Sequence, residues 1–341
     1  MATNISIKMI AEAARVSPGT ASLVLNHKAD QYRISEKTQE KVWQAAEALG
    51  YLTGTERRVK KPRFAAQLLC IFCPLDFSKG PAITFFSGAR QYITEKKLPY
   101  ELLLFPYEPG HLAKHAAWLC SDFMAGAIML ALGESDLDFL ENSQFDIPII
   151  LYNRTAKGFC SVLTDDFAVG YRAMTHFLNR GHRHFAVLAP SYFSRSCDLR
   201  IAGFQSKFQS QSFLTDAGSI FSTTYGSDDN LSIAEAVKQL LKSMPRPTAI
   251  FLPNDTSVAE ITRAILIEGY SIPGDFEIIS YGNDPVNAAL TPAVTSFAPP
   301  NLEMSYNCIR LLCQHITDGQ APSAVKLSCE AELCFRESCP E

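Results

Sequence analysis

The sequence lacks the features that mark membrane proteins, exported proteins and several enzyme classes. It has no apolar run long enough to span a bilayer, and its N-terminus lacks the continuous apolar core of a signal peptide. None of the catalytic motifs G-x-S-x-G, G-x-x-x-x-G-K-[ST], H-E-x-x-H or G-x-G-x-x-G is present. We therefore expect a cytoplasmic protein that does not cross the membrane and is not an enzyme.

The ten cysteines do not form a paired metal-binding pattern. Cys70 and Cys73 have the spacing of a redox or zinc pair, but they lie in a predicted strand, where residues i and i+3 point to opposite faces. We expect them to be small buried hydrophobic residues in a reducing compartment. Cys329, Cys334 and Cys339 are evenly spaced but have no second cluster, so we expect no metal and no cofactor.

Charge is unevenly distributed along the 341 residues. Residues 1–63 carry 11 Lys and Arg against 6 Asp and Glu, a net charge of +5, whereas the remainder carries 20 against 29, a net charge of −9. A basic end on an acidic body is typical of a protein that offers one face to phosphates.

The segment Ile7–Asn26 predicts two short helices joined by a tight turn. Ser6 is placed to cap the first helix, and Ser17 and Pro18 are placed to begin the second. The apolar face of the first helix repeats at the i, i+3, i+4, i+7 spacing and comprises Ile7, Ile10, Ala11 and Ala14. This is the helix-turn-helix pattern, although an ordinary αα-hairpin fits the periodicity equally well.

A third helix follows in SEKTQEKVWQAAEALGY, with Ser35 as its cap and Gly50 placed to end it. Its inward residues are Val42, Ala45, Ala46 and Leu49. Three small helices with a basic face favour an all-α DNA-binding headpiece over residues 1–52.

The runs IAEAARVSPGTASLVLN and ISEKTQEKVWQAAEALGY resemble the N-terminal signature of the lactose/galactose repressor (LacI/GalR) family of bacterial transcription regulators. In that family the second helix lies in the major groove of DNA, and two headpieces of a homodimer bind a palindromic operator. The expected DNA-binding residues are Ser17, Pro18, Gly19, Thr20, Ser22, Leu23, Asn26, Arg33, Ser35, Thr38, Tyr51, Arg57, Arg58 and Lys60.

Two headpiece positions depart from the family pattern. Arg15 stands where the turn glycine is usual, and Leu23 stands where an arginine often reads guanine. An apolar side chain at position 23 can instead contact a thymine methyl group, so we expect an operator that differs from the common family site.

The linker 53–63, TGTERRVKKPR, is basic but lacks the Ala-x-x-Leu pattern of the family's hinge helix. Its nearest apolar residue is Val59. The composition predicts phosphate contact by the linker and does not support leucine insertion into the minor groove. A plain solvated tether is the alternative.

Residues 64–341 alternate short apolar runs with helical patterns, which predicts an α/β domain of two lobes, each a parallel sheet flanked by helices. We expect lobe 1 at 64–162 plus 296–322, and lobe 2 at 163–295 plus 323–341. The predicted strands are Gln67–Cys73, Tyr100–Phe105, Ala125–Leu130, Ile147–Tyr152, His184–Ala189, Ser219–Thr224, Ala249–Leu252 and Glu277–Tyr281.

Local elements of this domain resemble the periplasmic sugar-binding proteins, whose architecture the family shares. Arg200-Ile-Ala-Gly-Phe204 is similar to an R-x-x-G-[FW] element whose arginine holds ligand hydroxyls, and Asn254-Asp255 follows a strand that ends at the cleft. The expected effector-binding residues are Arg200, Asn254, Asp255, Asn153, Ser196, Phe167 and Asn283. The alternatives are an ion-paired arginine, and an Asn-Asp pair that only caps the next helix.

One position departs from the sugar-binding pattern. Gly282 stands where the family's G-[FY]-D-[DN] element has an aspartate that usually binds sugar, with Asn283 and Asp284 following it. Either the loop shifts so that one of these neighbours substitutes, or the pocket does not recognise an ordinary sugar.

The sequence thus predicts a DNA-binding transcription regulator, a repressor of the LacI type, which acts as a homodimer under the control of a small, sugar-like effector. Three alternatives remain: control by a protein co-effector or by no ligand, a solute-binding protein, and an α/β enzyme joined to a DNA-binding domain.

Overall fold

The computed structural model describes residues 6–25, 28–29, 32, 34–48, 68–74, 81–119, 124–191, 194–211, 218–226, 231–318 and 324–341. The chain divides into two units, residues 1–68 with 121–125 and residues 69–120 with 126–341. No helix among the described residues is long and apolar enough to cross a membrane.

The first unit contains three helices, and they begin and end close to the predicted positions. These are α1 (Ile7–Ala14), α2 (Pro18–Leu25) and α3 (Glu36–Ala48). Ser6 caps α1 by accepting the N–H of Met9 at 3.4 Å, as the sequence predicts. The three helices share one apolar core of Ile10, Ala11, Ala14, Ala21, Val24, Leu25, Ala29, Val42 and Ala46.

The turn between α1 and α2 shows why glycine is usual at position 15. Arg15 has a left-handed backbone, with φ 53° and ψ 48°, and its N–H satisfies the carbonyls of Ala11 and Glu12. Glycine adopts this conformation without the steric cost of a Cβ. The turn therefore keeps its geometry here with a non-glycine residue.

The second unit contains two six-stranded sheets. The strands are β1 (Leu68–Pro74), β2 (Glu101–Tyr107), β3 (Gly126–Leu130), β4 (Ile149–Tyr152), β5 (Cys160–Thr164), β6 (His184–Pro190), β7 (Ser219–Tyr225), β8 (Ala249–Leu252), β9 (Glu277–Tyr281), β10 (Thr295–Ala298), β11 (Lys326–Cys329) and β12 (Glu332–Cys334). All eight predicted strands coincide with observed strands to within two residues.

Helices flank both sheets. They are α4 (Pro81–Glu95), α5 (Ala116–Leu119, preceded by a 3-10 turn at Leu112–His115), α6 (Glu134–Glu141), α7 (Asp166–Asn179), α8 (Arg195–Gln209), α9 (Ile233–Lys242), α10 (Val258–Ile267), α11 (Pro285–Ala289) and α12 (Asn301–Asp318). The second sheet buries an apolar core on each face, one with Ile250 and Phe276 and one with Phe185 and Phe204.

The sheet order defines the two lobes. Lobe 1 has the order β11-β5-β4-β3-β1-β2, and lobe 2 has the order β12-β10-β9-β8-β6-β7. Neighbouring strands pair in parallel in β3–β4, β4–β5, β8–β9 and β9–β10, whereas β12 runs antiparallel to β10. The prediction of two mostly parallel sheets is confirmed, with β12 as an antiparallel edge strand.

The lobe boundaries differ from those expected. β10 belongs to lobe 2, because Thr295 pairs with Ile279, so lobe 1 does not resume at residue 296. β11 belongs to lobe 1, because Lys326 pairs with Ser161, so lobe 2 does not resume at residue 323. The expected boundaries were wrong here, since pairing between distant segments decides which sheet a short strand joins.

The cysteines of β1 are buried, as predicted for small hydrophobic residues. Burial raises the pKa of the Cys70 thiol to about 11, which keeps it protonated. Cys329 and Cys339 are also buried, and all cysteines of the described residues are free thiols. The linker 53–63, Leu49 and Gly50 lie outside the described residues, and their predicted roles stay predictions.

Candidate functional site

Helix α2 presents a polar face to its surroundings. Ala21, Val24 and Leu25 are buried in the three-helix core, which leaves the opposite face outward. Ser17, Pro18 and Gly19 are exposed, and Thr20, Ser22 and Leu23 are half-buried. The outward residues are therefore the ones that the sequence predicts for DNA contact.

Side-chain hydrogen bonds hold the N-terminus of α2, and there is free space beside it for a DNA group. Ser17 Oγ accepts the N–H of Thr20 at 3.0 Å and lies 2.8 Å from Thr20 Oγ1. The nearest atom to a Cβ built on Gly19 is Ser17 Oγ, at 3.8 Å. Such an uncrowded helix N-terminus can approach a phosphate or a base edge closely.

The start of α3 has a similar arrangement. Ser35 is exposed, and its Oγ lies 2.8 Å from Thr38 Oγ1. The other predicted DNA-binding residues lie outside the described residues. They are Asn26, Arg33, Tyr51, Arg57, Arg58 and Lys60.

A cleft of about 750 Å³ lies between the two lobes, where strands of both sheets reach their carboxyl ends. From lobe 1 its lining includes Thr84, Ala131, Tyr152, Asn153, Arg154, Thr164, Asn301 and Met304. From lobe 2 its lining includes Arg200, Asn254, Asp255, Thr256, Tyr281, Gly282, Asn283 and Asp284. The cleft combines apolar surface with several hydrogen-bonding side chains, as small-molecule sites do.

Arg200 lines the cleft, but its guanidinium group is engaged within lobe 2. Its Nε and Nη2 lie 2.8 and 2.7 Å from Asp166 Oδ1, and Nη1 donates to the carbonyl of Pro253 at 2.6 Å. The guanidinium group also lies over the ring of Tyr281, 3.3 Å from its centroid. The Arg200 side chain is only 6% exposed, and its guanidinium N–H groups already have partners within lobe 2. Few of them are therefore available to a ligand in the cleft.

A close helix crossing positions this ion pair. A Cβ added at Gly203 would collide with the backbone oxygen of Phe167, and one added at Gly170 would collide with the oxygen of Arg200. Because both residues lack a Cβ, α7 and α8 approach closely enough for Asp166 to meet Arg200. The spacing of arginine and glycine in the R-x-x-G-[FW] element follows from this crossing.

The position of the Asp255 carboxylate explains why residue 282 is a glycine. Its Oδ2 accepts the N–H of Asp284 at 2.7 Å and the side-chain amide of Asn287 at 3.3 Å. A Cβ added at Gly282 would fall on the Asp255 carboxylate, and the φ of Gly282 is 137°. The Asp255 carboxylate therefore fills the space that a side chain at position 282 would need, which is the position where the sugar-binding pattern has an aspartate. Burial raises the pKa of the Asp255 carboxyl group.

Asn254 and Asn283 also line the cleft. Asn254 Nδ2 donates to Cys197 Sγ at 3.8 Å, and its Oδ1 accepts the N–H of Thr256 at 3.3 Å. Asn283 Oδ1 accepts a hydrogen bond from Arg336 Nη2 at 2.6 Å, so its carbonyl oxygen is committed within lobe 2.

Asn153 links the two lobes at the edge of the cleft. Its Nδ2 donates to Ser196 Oγ at 3.3 Å, and its Oδ1 accepts the N–H of Thr164 at 3.0 Å. Ser196 and Phe167 are not among the described residues that line the cleft, and Phe167 is 40% exposed. Five of the seven predicted effector-binding residues thus line the cleft, Ser196 contacts it through Asn153, and Phe167 does neither.

Arg154 lines the cleft but is absent from the predicted set. Its Nε donates to the carbonyl of Leu132 at 3.0 Å, and its Nη1 donates to that of Asn153 at 2.8 Å. Burial lowers the pKa of this guanidinium. Within the described part of the chain, no carboxylate oxygen lies within 4.0 Å of it. Its position directly after Asn153 and β4 is the sequence signal that points to it.

Two family models match the chain. The model for bacterial regulatory proteins of the lacI family matches residues 6–53, and the model for a periplasmic binding protein-like domain matches residues 174–339. The chain therefore has a helix-turn-helix domain of the lacI family and a periplasmic binding protein-like domain.

Curated relatives of the family align over nearly the whole chain. It is 26% identical over 333 residues to the HTH-type transcriptional repressor PurR of Aliivibrio fischeri (strain MJ11), and the match covers 92% of each chain. This relative is named as a transcriptional repressor.

Solved structures share the fold. A complex of the transcriptional regulator CelR with cellobiose matches with a TM-score of 0.67 at 21% identity, covering 98% of this chain and 100% of that chain. A LacI family regulator from Enterococcus faecium with bound ribose matches with a TM-score of 0.66 at 22% identity, covering 80% and 98%. At these identities the similarity establishes the architecture.

Proposed function

We propose that this lacI-family protein is a sequence-specific repressor that binds a palindromic operator as a homodimer. The observation that carries the proposal is the outward face of α2, which begins with exposed Ser17, Pro18 and Gly19 in a domain that matches the family model. A recognition helix reads base edges with its N-terminal residues. The exposed start of α2 supports that role, and a DNA partner would be consistent with the cytoplasmic location that we propose.

The proposed DNA contacts combine described and undescribed residues. Leu23 is half-buried on the outward side of α2, which supports contact with a thymine methyl group in place of guanine reading. The basic residues Arg57, Arg58 and Lys60 are proposed to contact phosphates. Each headpiece would bind one half-site, since the symmetry of a dimer is mirrored in the operator.

The test is selection of bound DNA from a random duplex pool, followed by binding measurements on the selected sequence. We expect two half-sites related by two-fold symmetry. The variant Gly19→Glu keeps the fold, because the space beside Gly19 is open, but brings a carboxylate to the phosphates. It should weaken operator binding roughly tenfold or more. Ala13→Glu adds the same charge on the exposed side of α1 and serves as the matched control.

Two outcomes would contradict the DNA-binding proposal. One is a pool that shows no preferred sequence, and the other is Gly19→Glu binding the selected duplex as well as Ala13→Glu does. A preferred sequence without two-fold symmetry would contradict the homodimer, which sedimentation of the free protein tests separately.

We further propose that a carbohydrate or a carbohydrate derivative binds in the cleft and changes operator affinity. The volume and polar lining of the cleft support this, and the solved regulators with cellobiose and ribose have the same fold. The coupling free energy between such sites is typically about 1–3 kcal/mol. Titration of a tightly bound ligand should therefore shift operator affinity, and an unchanged affinity would refute the coupling.

One observation favours the alternative of a protein co-effector, or of no ligand. Arg200 is paired with Asp166, Asn283 with Arg336, and Gly282 offers no side chain, so several positions expected to bind sugar are not available to it. A carbohydrate panel that leaves the melting temperature of the protein unchanged would favour this alternative.

A further inference from the structure

The charged residues of the cleft are divided unequally between its two walls. Arg154 is the charged residue among the described lining of lobe 1. The described lining of lobe 2 contains Arg200, Asp255 and Asp284. Since Arg200 is neutralised by Asp166, the described lining of lobe 1 is positive and that of lobe 2 is negative.

The carboxylates of lobe 2 already have partners. Asp255 accepts the N–H of Asp284 at 2.7 Å, and Asp284 caps α11 by accepting the N–H of Val286 at 2.9 Å. Asp166 is ion-paired with Arg200. The lobe 2 carboxylates are therefore held in their own lobe by hydrogen bonds or an ion pair, and none of those described lies within 4.0 Å of Arg154, although Asp166 attracts its charge from further away.

Arg154 is held by hydrogen bonds to neutral groups, and the carboxylates of Asp166 and Glu134 attract its charge only from beyond ion-pair distance. Two of its five N–H groups donate to the carbonyls of Leu132 and Asn153, which fix the guanidinium plane at the cleft wall. A partly buried cation without a counter-ion in direct contact is costly, and a ligand that supplies a negative charge lowers that cost. Guanidinium groups bind carboxylates and phosphates with paired hydrogen bonds, and those are the groups that suit the remaining donors.

We propose that the effector is an anionic carbohydrate, a sugar acid or a sugar phosphate, whose negative group is bound by Arg154. This inference rests on the proposed effector role of the cleft and specifies its ligand. The effector lies with its anionic group toward lobe 1 and its hydroxyls toward Asn254 and Asp255 in lobe 2. That orientation matches each end of the ligand to the charge of the wall it meets.

An alternative role for Arg154, as an ion-pair partner between the lobes, predicts a different binding result. If the lobes close without a ligand, Arg154 can pair with Asp255 or Asp284 as a latch between the walls. An anionic ligand would then compete with the latch and gain no affinity from Arg154. Binding measurements on matched neutral and anionic sugars separate the two uses.

The experiment is calorimetric titration of the full-length protein with matched triplets, each a neutral sugar, its sugar acid and its phosphate. Glucose, glucuronate and glucose 6-phosphate form one triplet, and ribose, ribonate and ribose 5-phosphate form another. Ionic strength is held constant at about 0.15 M, because screening changes the affinity of charged ligands. Whether the acid or the phosphate binds tighter identifies the anionic group.

The proteins compared are wild type, Arg154→Gln, Arg154→Lys and Lys157→Gln. Lys157 is exposed on the same lobe and does not line the cleft, so its variant controls for loss of one positive charge. Arg154→Gln should fold, because it leaves behind two neutral carbonyls rather than an unpaired charge. Arg154→Lys keeps the charge and provides a second variant if the glutamine protein melts early.

We expect wild type to bind an anionic member roughly 10- to 100-fold more tightly than its neutral parent, as charge-assisted hydrogen bonds do. Arg154→Gln should remove that preference, so that the anionic member binds it no more tightly than the neutral parent does. Arg154→Lys should retain part of the preference, and Lys157→Gln should retain all of it.

The outcomes that overturn the proposal are distinct from those that overturn the proposed function. Neutral sugars that bind as tightly as their acids and phosphates overturn the anionic effector, and so does a preference that survives in Arg154→Gln. In both cases a carbohydrate effector still stands. If no member of either triplet binds, the anionic effector and the carbohydrate effector both fail.

Discussion

The two lobes stabilise their buried charges in different ways. In lobe 2 a buried charge meets an opposite charge, as in Arg200 with Asp166 and Arg180 with Glu277. In lobe 1 a charge meets neutral backbone groups. Arg154 donates to two carbonyls, and Asp136 accepts three backbone N–H groups. Loss of one partner therefore leaves an unpaired charge in lobe 2 and only neutral dipoles in lobe 1.

The largest effect should come from breaking the pair beneath the cleft. Asp166→Asn leaves the buried Arg200 without a negative partner, which should cost about 3–5 kcal/mol of unfolding free energy. Asp165→Asn is the matched control, because Asp165 is exposed and asparagine also caps helices well. Urea unfolding of both variants measures the difference. Equal midpoints would show that the Arg200 pair does not stabilise lobe 2.

The second prediction concerns pH and the pair at the opposite end of β9. Burial alone would raise the pKa of Glu277, but hydrogen bonds from Arg180 and His182 lower it from 4.5 to about 2. The lowered pKa means that this stabilisation is fully present above pH 4.5 and is lost as pH falls through 2. Glu277→Gln should thus cost on the order of 3 kcal/mol at pH 7.

The measurement is the free energy of unfolding of wild type and Glu277→Gln between pH 7 and pH 2. The difference between them should shrink as pH falls below 4.5. Glu260→Gln, an exposed position on α10, is the control and should follow wild type throughout. A difference that stays constant with pH would exclude Glu277 as the titrating group.

The smallest of the three effects should appear in lobe 1. Asp136→Asn loses an acceptor for the N–H groups of Gly110, Leu112 and Gly133, which lie 2.6, 2.8 and 3.0 Å from its carboxylate oxygens. No charged group is left without a partner, so we expect the unfolding free energy to fall by about 2 kcal/mol. Hydrogen exchange at these three amides measures it directly, with Asp138→Asn on the exposed side of α6 as control. A cost as large as that of Asp166→Asn would remove the distinction between the lobes.

The candidate site could be predicted in part from short-range patterns. The element around Arg200 identifies a cleft residue, but nothing local reveals that Asp166, 34 positions earlier, takes up its guanidinium. Arg154 was missed because it belongs to no motif that the sequence singles out. Its importance rests on the absence of a nearby carboxylate among the described residues, which only distances can show.

Local sequence patterns were sufficient to predict the three N-terminal helices and the eight strands of strongest pattern. Capping residues, apolar periodicity and short buried runs act over a few neighbouring positions, so they can be read directly. Tertiary structure alone decided which sheet β10 and β11 join, why Gly282 must lack a side chain, and which arginine of the cleft keeps uncommitted donors. Those outcomes depend on contacts between segments far apart in the chain, and no local pattern encodes such contacts.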